Sequence, residues 1–94
     1  MNDQSDEISD KLKNYLNEKN QVKAWPGKEK NQLLVLQFLA TKFEAGKFYT
    51  EKEVNEILNS FHTFTDPALL RRELFIKHLL DRELDGSKYW KTAK

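Results

Sequence analysis

Apolar residues recur at helical spacing in four stretches of the chain and at strand spacing near its end. Ile8, Leu12, Tyr15 and Leu16 fall at i, i+4, i+7 and i+8, one stripe of an amphipathic helix with Ser5 and Asp6 as candidate caps. The stripe is narrow. It leaves open whether this helix packs on the rest of the chain, pairs with a copy of itself, or frays. Asn17–Lys23 is polar and reads as a linker. Trp25-Pro26-Gly27 then interrupts the chain, because proline drives Trp25 toward an extended backbone and Gly27 admits a tight turn. A helix is expected from about Lys28 to Phe43. Its apolar positions Leu33, Leu34, Leu36, Phe38, Leu39, Ala40 and Phe43 are dense enough for a helix covered on more than one side. Gly46 closes that segment, and Phe48-Tyr49 is a two-residue extended stub.

Thr50-Glu51-Lys52-Glu53 is a capping box, in which the threonine hydroxyl and the glutamate carboxylate each satisfy a backbone N–H of the other. Val54, Ile57, Leu58 and Phe61 continue it as an amphipathic helix. Asp66-Pro67 is a second helix start, an N-cap acceptor followed by proline at the first helical position. That helix runs to about Lys77 with Leu70 and Leu74 inward. Leu79–Leu84 reads as a strand, Asp85-Gly86 as a type I′ turn, and Ser87–Lys91 as the returning strand. A two-residue turn pairs Leu84 with Ser87, Glu83 with Lys88, Arg82 with Tyr89 and Asp81 with Trp90. Leu80, Arg82, Leu84 and Tyr89 then share the expected core face, with a cation–π contact between Arg82 and Tyr89.

Helix, short strand, helix, helix and hairpin is the order of a winged helix-turn-helix. The expected fold is α+β, mainly α, with a C-terminal two-stranded wing and an N-terminal amphipathic helix before the domain. Residues 1–23 form an acidic leader, amphipathic helix and linker, 24–91 the winged-helix domain, and 92–94 a tail. A chain of 94 residues holds one core. Charge nearly cancels at +1, yet residues 1–10 carry four acids and no base, so the domain itself is mildly basic. That is well below the excess of a dedicated nucleic-acid binder. The absence of cysteine removes disulfides, thiolate metal sites and cysteine nucleophiles. Two histidines, His62 and His78, are too few for a zinc site, so no metal or cofactor is expected; His78 is assigned to the carbonyl end of its helix. No apolar run of membrane length and no signal-like stretch is present, which makes the expected location cytoplasmic and excludes a membrane partner.

Several strings carry a family resemblance. They are Trp25-Pro26 with Lys28 and Lys30, Phe43 before Gly46, Tyr49-Thr50-Glu51-Lys52-Glu53-Val54-Asn55, Leu70-Arg71-Arg72-Glu73-Leu74, and Asp85-Gly86 with Tyr89-Trp90. Over residues 24–91 the chain resembles the bacterial family called domain of unknown function 2087. Members occur alone or fused to ArsR-type helix-turn-helix regulators, so the resemblance implies a setting in transcription regulation without an activity. Two positions depart from it: Ile76 and His78 stand where the family usually has Asp and Gly.

Arginine suits guanine edges and phosphates, and Arg71 and Arg72 lie on the helix that would read DNA. The plainer role for Arg71 is an ion pair with a neighbour such as Glu53. Lys88 and Lys91 on the wing, Lys28 and Lys30 at a helix start, and Thr65 with Thr63 before the last helix are further phosphate candidates. Phe75 and Ile76 leave the 66–77 helix apolar around most of its circumference, which marks them, with Trp90 and the Ile8, Leu12 and Tyr15 stripe, as a candidate protein interface. No Ser-His-Asp set and no glycine-rich loop is present, and no enzyme is expected. The leading expectation is a transcription-regulation domain that binds double-stranded DNA weakly or as a dimer, through helix 66–77 and wing 80–91. The alternative is a module of the same fold that dimerises or docks a regulatory protein without binding DNA.

Overall fold

The computed structural model describes residues 11–64 and 66–92. Among the described residues, α1 (Glu29–Ala40), β1 (Phe48–Tyr49), α2 (Glu51–Asn59), α3 (Pro67–Ile76), β2 (Leu80–Arg82) and β3 (Tyr89–Lys91) follow in the order α1-β1-α2-α3-β2-β3. The architecture is α+β and mainly helical. Ile8, Thr65 and residues 93–94 lie outside the described residues.

Val35, Leu36, Leu39, Ala40 and Phe43 form one buried stripe on and just beyond α1. Val35 belongs to this core although the sequence pattern favoured Leu33, which lies at the surface. The helix stops at Ala40, three residues earlier than expected, where the Thr41 hydroxyl turns back to donate to the Phe38 carbonyl at 2.6 Å. Phe43 then packs edge-on to Tyr49, ring centres 5.2 Å apart, and the Tyr49 hydroxyl accepts from the Glu44 N–H.

Both helix starts are as the sequence writes them. Thr50 and Glu53 make the reciprocal capping box on α2, and the Asp66 carboxylate accepts from the Ala68 N–H at 2.9 Å on α3. α3 ends differently. His78 takes a left-handed backbone, φ 61°, while its N–H reaches the Phe75 carbonyl and the Leu79 N–H the Leu74 carbonyl. This is a Schellman closure, a position that glycine fills without strain. His78 therefore ends the helix through its backbone.

The sheet is antiparallel in the order β1-β3-β2, so the Phe48-Tyr49 stub is its third strand. Arg82 pairs with Tyr89 and Asp81 with Trp90, the expected register. The turn is not type I′, however. Only Gly86 has a positive φ, the Gly86 N–H closes onto the Glu83 carbonyl, and the Asp85 carboxylate accepts from the Ser87 N–H at 2.9 Å. That local bond favours a wider loop. Leu84 consequently projects fully into solvent instead of joining the core face.

The stretch read as a linker is fastened to the domain. Leu16 and Val22 bridge around a loop in which Asn17 accepts from the Lys19 and Gln21 N–H groups. Val22 is wholly buried, donating to the Phe61 carbonyl at 2.7 Å and accepting from the Thr63 N–H. Among the described residues of this stretch, helix covers 11–13 and gives way to a turn at 14–15, so the helix does not reach Leu16. Leu12, Tyr15 and Leu16 pack against the core, which removes Leu12 and Tyr15 from a free interface stripe.

Candidate anion-binding cleft

α3 is oriented by burial. Leu70 and Leu74 point inward with no exposed surface, and helical geometry then turns Arg71 toward α2 and Arg72 toward solvent. Arg71 donates through Nη1 to the Asn55 carboxamide oxygen, and its Nη2 lies 3.6 Å from a Glu51 carboxylate oxygen. The side chain retains only 18 % exposure. Glu53, the partner the sequence suggested, is occupied in the capping box, its carboxylate accepting from the Thr50 N–H at 2.8 Å.

Arg82 approaches from β2. Strand alternation places it on the same face as Leu80, toward α3. Its guanidinium sits 4.8 Å from the centre of the Phe75 ring. The expected partner, Tyr89, is 4 % exposed and belongs to the core, so the hydrated cation stacks instead on the half-buried Phe75.

Arg71, Arg72 and Arg82 thus meet in one cleft of about 270 Å3, whose other lining residues are Glu51, Ala68, Phe75 and Tyr89. Among the described residues, three guanidinium groups and a single carboxylate line it. The Arg72 side chain is exposed and has no hydrogen-bond or ion-pair partner among the described residues. Arginine's planar fork of donors matches phosphate and carboxylate oxygens, so this lining is suited to an anion.

The remaining expected phosphate contacts do not join it. Lys88 lies 5.2 Å over the Phe48 ring, which is itself edge-on to Trp90 at 5.7 Å. Lys91 lines a separate depression with Gln37, Ala40, Thr41 and Leu79. Lys28 and Lys30 line another, with Lys11, Asn14, Tyr15 and Asn31. Of the apolar candidates, Phe75 is covered by Arg82, Trp90 is half-buried against Phe48, and Ile76 is 51 % exposed. Phe48, 61 % exposed, escaped the sequence reading, as did Arg82 as a site residue. The signal for Arg82 was its place opposite Tyr89 on the hairpin, but its aim depends on Phe75 in another element.

His62 is buried, with Nε2 at 3.0 Å from the Asn59 carboxamide oxygen and Nδ1 without a partner among the described residues. Burial lowers its pKa, partly opposed by the Asp66 carboxylate. At the other end of α3, Lys77 binds Glu29 at the start of α1 and holds that carboxyl below the usual range. Among the described residues, no three His, Asp or Glu side chains are grouped to hold a metal ion, and no helix is long and apolar enough to cross a membrane.

A family model described as "Uncharacterized protein conserved in bacteria (DUF2087)" matches residues 21–91. Its start takes in the buried Val22. No curated protein and no solved structure gives a significant match.

Proposed function

For a chain that belongs to the DUF2087 family of uncharacterized bacterial proteins, we propose a winged-helix domain of transcription regulation that binds double-stranded DNA. The observation that carries this reading is the convergence of arginines from α3 and from the β2–β3 hairpin on one cleft. In this reading α2 and α3 are the helix-turn-helix, α3 enters the groove, and the hairpin is the wing. Arg72 reaches the nucleic acid directly. Arg82, braced on Phe75, holds a phosphate at the wing root, and Arg71, tied to Glu51 and Asn55, lines the cleft beside them. Lys88 adds a contact farther along the wing. Binding through so few cations is weak and strengthened by dimerisation.

The test is fluorescence anisotropy with a duplex of mixed sequence across a salt series. Affinity falls linearly on a log–log plot as counterions are released, and Arg72→Glu both weakens binding and reduces the slope by about 1. Equal affinity of the wild type and Arg72→Glu overturns the reading. A second reading, a protein-docking module of the same fold, draws on the exposure of Phe48 and Ile76. It predicts association that Arg72→Glu leaves intact and Ile76→Asp abolishes.

A further inference from the structure

We infer that the arginine cleft is a receptor for a phosphomonoester group, such as the 5′-phosphate of a nucleotide or of a nucleic-acid end. This goes beyond the DNA reading. It shares Arg72 and Arg82 with that reading but does not need the duplex to lie along α3.

Charge comes first. Among the described residues, Arg71, Arg72 and Arg82 against Glu51 give the lining a formal charge of +2. A phosphomonoester above its second pKa, about 6, carries close to −2, whereas the diester of a nucleic-acid backbone carries −1. Shape agrees with charge. A half-open cleft of about 270 Å3 has room for a compact head group, with the small Ala68 side chain on its helical side. A continuous backbone passes such a cleft and presents only two free oxygens per phosphate to it, where a monoester offers three.

Preorganisation is the third argument. Two of the three guanidinium groups already have fixed positions: Arg71 is held by Asn55 and Glu51, and Arg82 lies on the Phe75 ring. Ordering a long side chain costs binding energy, so an anion received by braced arginines binds more tightly than one that must gather them. Arg72, exposed, completes the ring from the helix side once the anion is in place.

The experiment is an isotope-labelled NMR titration of the full chain with three probes: a nucleoside 5′-monophosphate, its 3′,5′-cyclic diester and the unphosphorylated nucleoside. The monoester is expected to shift the amides of residues 68, 71, 72, 75 and 82, binding at least about tenfold more tightly than the diester, as loss of one charge-assisted contact implies. Its affinity should rise with pH through about 6, as the second proton leaves. Arg72→Gln, at an exposed site that spares the fold, should weaken the monoester about tenfold and leave the spectrum otherwise native. Equal binding of monoester and diester overturns the inference, as does monoester binding that Arg72→Gln leaves unchanged, or the absence of shifts with all three probes. A parallel titration with blunt duplex DNA lacking 5′-phosphates separates the two readings. Duplex binding without monoester binding removes the phosphomonoester site alone, and monoester binding without duplex binding removes the DNA reading alone.

Discussion

Arg71 on α3 places its guanidinium 3.6 Å from the Glu51 carboxylate at the start of α2. With the bond from Arg71 to Asn55, this tie joins the two helices beside the cleft. Arg71 and its neighbour Arg72 therefore do different work despite their adjacency. Arg71→Ala should cost about 1 kcal/mol of stability, since the pair is partly exposed and the Asn55 bond is lost with it. Arg72→Ala should leave stability within about 0.5 kcal/mol of the wild type and reduce anion affinity. Urea unfolding of the two variants beside a binding titration separates the roles.

Helix α3 ends on a non-glycine residue in the left-handed backbone region. His78 holds φ 61° within a Schellman closure. His78→Gly should stabilise the fold by about 1 kcal/mol, the left-handed strain removed outweighing the extra freedom of the unfolded chain. Thermal unfolding checks it. An unchanged or lower Tm contradicts the account of this turn.

His62 predicts a pH dependence. Its pKa is lowered by burial, and Nδ1 has no acceptor among the described residues to receive a proton's hydrogen bond. The folded state thus binds this proton less readily than the unfolded state does. Stability is fully present above the unfolded value of about 6.5 and is lost as pH falls toward the lower folded value. Between about pH 7.5 and 5 the Tm of the wild type should fall more steeply than that of His62→Gln. Parallel slopes sink the claim.

Val22 anchors what the sequence presents as a tether. It is wholly buried and hydrogen-bonded on both sides to the 61–63 segment. Val22→Ala should cost about 1–3 kcal/mol through lost burial and the cavity left. Leu84→Ala, at a fully exposed side chain, should cost almost nothing. Chemical denaturation of the pair checks the contrast.

What was legible in the sequence was local. The Thr50–Glu53 box and the Asp66-Pro67 start need only residues within one turn, and the pairing of Asp81 with Trp90 and Arg82 with Tyr89 follows from the hairpin's alternation. What was hidden depends on distant partners. Nothing around Val22 announces that its backbone meets Phe61 and Thr63, and its neighbours are polar. Asp85-Gly86 resembles a primed turn until the Asp85 side chain takes the Ser87 N–H. The cleft divides the same way. Arg71 and Arg72 stand out as a pair on one helix, but Arg82 joins them only because Phe75 lies where its guanidinium can rest.

The most direct test of the DNA-binding account is an NMR titration of the chain with duplex DNA of mixed sequence, at low and at near-physiological salt. The account predicts low-salt shifts for the amides of residues 66–77 and 82–91, centred on Arg72 and Arg82, that recover as salt is raised. Unmoved amides in both segments at low salt would contradict it, and would leave the exposed Ile76 and Phe48 surfaces as the place to look for a partner.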